Sequence, residues 1–166
     1  HVSGFTMSTN QNSADAVYKM VREVSKETKV CFDPNIRPEA LSVEQIKALC
    51  QPVLERADII FPSKGEAMMF TGASTDDEGC KQWASEGKIV VLKNGDAGCR
   101  IFSGDEIIDV PSFQVEEVDP TGAGDTFCGA FLTGLKESGG VRPICQCSRS
   151  HVREKAGAYG RSTLKR

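Results

Sequence analysis

No run of apolar residues in this 166-residue chain approaches the ~20 needed to cross a bilayer, which excludes a transmembrane helix. No charged-then-apolar leader opens it, and there is no initiator Met. The first residues, His1-Val2-Ser3-Gly4, read instead as the end of a strand already under way, so a fragment is expected. The P-loop pattern Gly-x-x-x-x-Gly-Lys-Ser/Thr is absent, which excludes that class of nucleotide enzyme. No internal repeat or low-complexity segment occurs. The seven cysteines are scattered and odd in number, and Cys145-Gln146-Cys147 has neither the spacing of a zinc knuckle nor a second pair to complement it. Reduced thiols in a cytoplasmic protein are expected.

What is present is a composition 39% hydrophobic and 26% charged, which suits one globular domain able to bury a core rather than a disordered chain. The net charge of −3 is unevenly spread. Residues 141–166 carry seven Lys/Arg and only Glu154 as an acid, against thirteen bases and twenty-two acids in residues 1–140. A basic tail can bind nucleic acid, but Tyr159 is its one aromatic residue, and a solvated end is the expectation.

Helix and strand signals alternate, which predicts an α/β layer structure. Apolar positions 14, 17, 20, 21 and 24 form a helical stripe with Asn12 or Ser13 as its cap. Val30-Cys31-Phe32 predicts a strand ended by Asp33-Pro34-Asn35. Ser42-Val43-Glu44-Gln45 has capping-box form and opens a helix to about Arg56. In Asp58–Phe61, the acid leads into a continuous apolar run, Ile59-Ile60-Phe61, of the kind buried in parallel sheets. Ser63-Lys64-Gly65-Glu66 is a second capping-box candidate for a helix stopped by Gly72, and Thr75–Glu78 opens another stopped by Gly87. Lys88–Leu92 and Cys99–Phe102 follow as strands, with further short strands through Val118. After Gly124, residues Phe127, Ala130, Phe131, Gly134 and Leu135 place one helix face in a core.

That last helix carries the chemistry. Gly122-Ala123-Gly124 precedes it, and small residues let backbone N–H groups approach an anion where a helix's first amides are free and partly positive. Such a nest suits a phosphoryl group in transfer, and Asp125 in the first turn can accept a proton from an attacking hydroxyl. Taken alone, the segment is equally an ordinary loop-to-helix join with an acid favourable to the dipole.

The stretch Asp119-Pro120-Thr121-Gly122-Ala123-Gly124-Asp125-Thr126-Phe127-Cys128-Gly129-Ala130-Phe131 closely resembles the C-terminal signature of the ribokinase-like (PfkB) carbohydrate kinases. Weaker landmarks of that family follow in its order over residues 1–140. These are Ser3-Gly4 at a strand end, Asp33-Pro34-Asn35-Ile36-Arg37 for its D-x-N-x-R segment, Ser63–Glu66 for N-x-x-E, and Lys93–Gly98 for K-x-G-x-x-G.

The resemblance implies a three-layer α/β/α sandwich with a mostly parallel sheet, and ATP-dependent phosphorylation of a sugar or sugar acid. By it, Asp125 is the catalytic base and the amides of Gly122, Ala123 and Gly124 form the anion hole. Glu66 organises Mg²⁺ through water, although the same residue also reads as closing a capping box with Ser63. Lys93, Gly95, Gly98 and Ser63 line the nucleotide, the family usually having Asn where Ser63 stands; Lys93 equally reads as a solvated strand-end residue. Asp33, Asn35 and Arg37 face substrate or phosphate, or else close a turn beside a surface arginine. The sequence following Asp33 looks most like 2-keto-3-deoxygluconate kinases, with fructokinases next. Whether a monovalent cation assists, and which sugar is used, stay open.

The chain departs from the family at both ends. The family's N-terminal half, with most sugar contacts and a β-sheet lid, has no counterpart here, so poor sugar binding and open sheet edges that favour homo-oligomers are expected. The family's closing A-N-A-A-G-A helix is matched only at Ala156-Gly157-Ala158, with Glu154 where the Asn belongs, so residues 141–166 read as a divergent, altered tail. The rival to an active kinase is therefore a non-catalytic nucleotide-binding remnant. A dinucleotide dehydrogenase is disfavoured because Gly-Ala-Gly comes late in the chain, without the βαβ opening and distal acid.

Overall fold

The computed structural model describes residues 1–36, 41–112 and 121–139. They fall into two units: one of His1–Asn94 with Cys99–Asp109, the other of Gly95–Gly98 with the described residues from Val110 onward.

The first unit is built on a sheet whose strands lie in sequence order: β1 (Val2–Ser3), β2 (Cys31–Asp33), β3 (Ile59–Ile60), β4 (Ile89–Lys93), β5 (Cys99–Ser103) and β6 (Glu106–Val110). The first four are parallel, and β5 runs antiparallel to β4. Parallel neighbours need crossovers, and helices supply them. Helices α1 (Gly4–Ser8) and α2 (Gln11–Glu23) join β1 to β2, α3 (Val43–Arg56) joins β2 to β3, and α4 (Glu66–Thr71) with α5 (Asp76–Ser85) joins β3 to β4. Among the described residues no helix is long and apolar enough to cross a membrane.

Register lines up Val2, Phe32, Ile60, Val90 and Phe102 as one row across five strands. Side chains alternate along a strand, so this row shares a face, and it packs with Val17, Val21, Ile46, Val53, Cys80 and Trp83 from α2, α3 and α5. Full burial of each Phe or Ile in such a row contributes roughly 1.5–3 kcal/mol. On the opposite face Cys31, Ile59, Phe61, Val91 and Ile101 are buried as well. A sheet buried on both sides explains the continuous apolar runs at 59–61 and 89–92.

Local signals hold at several helix starts. Ser42 Oγ accepts from Gln45 N at 3.3 Å and Gln45 Oε1 from Ser42 N at 2.9 Å, a complete capping box for α3. Thr75 Oγ1 accepts from Glu78 N at 3.2 Å to open α5. Elsewhere the ends differ. Helix α2 is capped by Asn10, whose Oδ1 accepts from Ser13 N at 2.9 Å, two residues before Asn12 and three before Ser13, the expected caps, because Asn10 is already extended and frees its side chain to turn back. The short α1 has no cap hydrogen bond and no local signal. Strands expected beyond Ser112 lie outside the described residues, as does the 141–166 tail.

At the amino ends of β2 and β3, Asp58 is a clasp. It accepts from Val30 N at 2.8 Å, Arg56 Nη1 at 2.9 Å and Lys29 Nζ at 3.1 Å. Burial pushes its carboxyl up, but the Val30 N–H and the two cations outweigh that and hold it below the usual range. A lowered folded-state value means the stabilisation is complete above the ordinary Asp range and is lost as pH falls through the lowered one. Asp58→Asn is therefore expected to be less stable than the wild type at neutral pH, with the gap closing below about pH 4 in urea denaturation.

In the second unit, α6 (Ala123–Ser138) buries Cys128, Phe131 and Gly134, with Phe127 and Leu135 half-buried. Ala130, expected inside, is exposed: the buried stripe runs through 128 and 131, turning 130 outward.

Candidate active site

Strand β2 ends where Pro34 follows Asp33, and Asn35 then takes a left-handed φ of 40°, uncommon outside glycine. Gly4 sits against this bend: a Cβ on it would lie 2.2 Å from Pro34 O. Only glycine lets the first turn of α1 come so close.

Asp33 is 2% exposed. Its Oδ1 accepts from Asn35 N at 3.0 Å, and its Oδ2 accepts from Lys93 Nζ at 2.5 Å. Lys93 closes β4, where its N–H donates to Pro62 O at 2.8 Å and its backbone bridges Ser63 in parallel. Glu66 opens α4 above β3. Its Oε2 accepts from Ser63 N at 2.6 Å and its Oε1 from Ile36 N at 2.9 Å. Burial pushes the Glu66 carboxyl up, the Ile36 and Ser63 N–H groups and Lys93 pull it back, and Asp33 adds to the rise, for a net upward shift. Thus Asp33, Asn35, Ser63, Glu66 and Lys93 meet at the carboxyl ends of β2, β3 and β4, the end at which α/β sheets bind ligands. Among the described residues Ser3 Oγ, on the strand residue paired with Asp33, is buried there without a hydrogen-bond partner. A buried hydroxyl of this kind is what an ordered water or ligand satisfies.

Ser63-Lys64-Gly65-Glu66 is half a capping box. Glu66 reaches back to the Ser63 N–H, but Gly65 at φ 89° is the residue that caps α4. The remaining caps come from Asp76 on α5, which accepts from Gly65 N at 2.7 Å and Met68 N at 3.2 Å. No local pattern announces Asp76, because its partners lie eight and eleven residues upstream.

The second unit carries the other residues expected at a site. Gly95 opens a 3₁₀ turn (Gly95–Ala97), and Gly98 follows at φ 96°, its backbone pressed against Val110–Ser112 so that a Cβ would lie 2.1 Å from Val110 O. Gly122 caps α6 at φ 77°, with no side-chain cap, and the first bond of the helix is Thr126 N to Gly122 O at 2.9 Å. The amides of Ala123, Gly124 and Asp125 precede that bond and have no place in the helical ladder. Gly122, Ala123, Gly124 and Asp125 are all exposed. Arg37 and Asp119 lie outside the described residues.

The family resemblance implies Mg²⁺. Among the described residues no three His, Cys, Asp or Glu side chains converge as a cage. Glu66 spends one lone pair of each oxygen on an amide and retains the others. This donor set fits a Mg²⁺ that keeps most of its water shell and is held by one or two carboxylates with substrate phosphates.

Comparison with known proteins places the chain in a family. Residues 1–150 match the model of the pfkB family carbohydrate kinases. Fructokinase-1 of Zea mays is 39% identical over 116 residues, covering 66% of this chain and 36% of that protein. The apo structure of the "putative Ribokinase II" from E. coli superposes with a TM-score of 0.80 at 35% identity, covering 88% of this chain and 48% of that one. The same E. coli protein with ATP and Mg²⁺ gives 0.73 at 38% identity, covering 80% and 43%. The chain belongs to the pfkB carbohydrate kinase family and has the ribokinase-like α/β fold. It spans about a third to a half of the length of these relatives.

Proposed function

We propose that the protein of which this chain forms part transfers the γ-phosphate of ATP to a hydroxyl of a sugar or sugar acid. The observation that carries the reading is the exposed Gly122-Ala123-Gly124-Asp125 start of α6, with no side-chain cap hydrogen bond among the described residues, in a chain of this family. The amides hold the migrating phosphoryl group, and Asp125 takes the acceptor's proton. Glu66 orients the water shell of Mg²⁺, which supplies charge neutralisation on the phosphates when bound. Lys93 and Ser63 in the first unit, and separately Gly95 and Gly98 in the second, are the residues proposed for the nucleotide, and Asn35 and Arg37 those proposed for substrate or phosphate. Fructokinase is a relative's activity, and a sugar or sugar acid is the acceptor class proposed. A cytoplasmic location fits the buried, free thiols of Cys31, Cys50 and Cys80, the latter two pushed up to about 12 by burial.

The experiment is a coupled ADP-release assay with MgATP, with and without a panel of sugars and sugar acids, beside calorimetry with MgATP. Sugar-dependent ADP release is the expected result. MgATP binding without turnover in every case would replace the kinase reading with a nucleotide-binding module.

A further inference from the structure

Asp33 and Lys93 are sixty residues apart, and each reads from the sequence either as a ligand contact or as a local turn or strand-end residue. The fold instead joins them. The Asp33 carboxylate is walled off from solvent, with one oxygen on the Asn35 N–H and the other on the Lys93 ammonium. A carboxylate so enclosed does not reach a substrate directly. Lys93 keeps 16% of its side chain exposed, against 3% for Asp33. An ammonium has three N–H donors, and Asp33 Oδ2 takes one of them. The backbone under Lys93 is pinned as well, by its bond to Pro62 O and its bridge to Ser63.

A buried ion pair is weak evidence for stability, because desolvating both charges offsets much of their attraction. The Asp58 clasp at the other end of the sheet shows the contrast: it ties β2 to β3 from a more exposed position, 27% for its side chain. A lysine has four rotatable bonds and loses much freedom when held in one geometry. Holding it in advance spares an anionic ligand that ordering cost.

We propose that Asp33 is a positioning residue that holds the Lys93 ammonium in place for a nucleotide phosphate and acts on the ligand only through Lys93. The proposal rests on the nucleotide-binding part of the function proposed above. It replaces direct contact between Asp33 and the substrate.

The test is a double-mutant cycle read by calorimetric titration of MgADP into the chain. Asp33→Asn keeps the size and one acceptor for the Asn35 N–H while removing the charge. Asp33→Asn and Lys93→Met are each expected to weaken MgADP about tenfold, the scale of losing one charge-assisted contact, and the double variant no further than Lys93→Met alone. Wild-type affinity in Asp33→Asn, or single effects that multiply in the double variant, overturns the proposal. Should Asp33→Asn fail to fold by circular dichroism, Asp33→Glu, which keeps the charge but displaces it, answers the same question: weaker MgADP supports the proposal and unchanged binding overturns it. Asp58→Asn is the structural control, with lower stability and wild-type MgADP affinity. The kinase reading fails separately, by lack of sugar-dependent ADP release in the wild type, while MgADP binding still decides the role of Asp33. A wild type that binds no MgADP overturns both.

Discussion

Asp125→Asn in the complete protein is expected to lower kcat for sugar phosphorylation by about 10²–10⁴-fold, the usual contribution of a positioned general base. MgATP affinity should stay close to wild type, because asparagine has the same shape and the amides of Ala123 and Gly124 are backbone groups that the substitution leaves in place. Stability should hardly move. Asp125 lies in the first turn of α6, and an exposed acid there contributes only about 0.3–1 kcal/mol through the helix dipole. That disparity separates the two readings of the residue. A base gives a collapse of kcat with little change in thermal midpoint. An acid serving the dipole alone gives a small drop in midpoint and near-normal turnover, and that result would remove Asp125 from the chemistry. Coupled ADP release, calorimetry with MgATP and thermal unfolding by circular dichroism, run on the same preparations, distinguish them.

Gly4→Ala is expected to be among the most damaging small substitutions in the chain. The added methyl would stand 2.2 Å from Pro34 O and 3.1 Å from Pro34 C, with Cys50 Sγ at 3.4 Å. Carbon does not approach a carbonyl oxygen so closely, and the Pro34 atoms the methyl meets are backbone in a buried bend. Overpacking of this kind costs typically about 1–3 kcal/mol and can exceed it, which for a domain of this size lowers Tm by roughly 2–4 °C per kcal/mol. The relief available is a shift of Pro34, and Pro34 lies between Asp33 and Asn35. The same variant is therefore expected to disturb the Asp33–Lys93 pair and weaken MgADP. An unchanged thermal midpoint would show that the bend yields easily and that glycine is not needed there for packing.

Some of this architecture could be read from short stretches of chain. The capping box at Ser42, the Thr75 cap and the stops at Gly72 and Gly87 each rest on hydrogen bonds or dihedrals spanning only a few residues, so their signals are local. The runs at 59–61 and 89–92 announced strands buried on both faces. The site motif was legible for a related reason: Gly122-Ala123-Gly124-Asp125 is contiguous, and its chemistry belongs to one helix start. Other features had no such signal. Helix α1 has no side-chain cap hydrogen bond, Asp76 caps the start of α4 from the next helix, and Ala130 faces outward although its spacing matched the apolar stripe. Glu66 was readable as a capping residue or as a site carboxylate: in the fold one oxygen serves Ser63 as half of a capping box, while the other crosses to Ile36, thirty residues away.

The order of amino acids alone thus determined the α/β class, most element boundaries to within two residues, and the glycine-rich start of α6, because these depend on periodicities and contacts a few residues long. Only the tertiary structure decided which polar residues meet. Asp33, Glu66 and Lys93 converge because parallel pairing brings the carboxyl ends of β2, β3 and β4 side by side, a register set by the row of Phe32, Ile60 and Val90 beneath the helices. Long-range pairing of that kind leaves no trace in neighbouring residues, so Lys93, which reads from the chain as a strand-end cation, stands in the fold against a buried carboxylate.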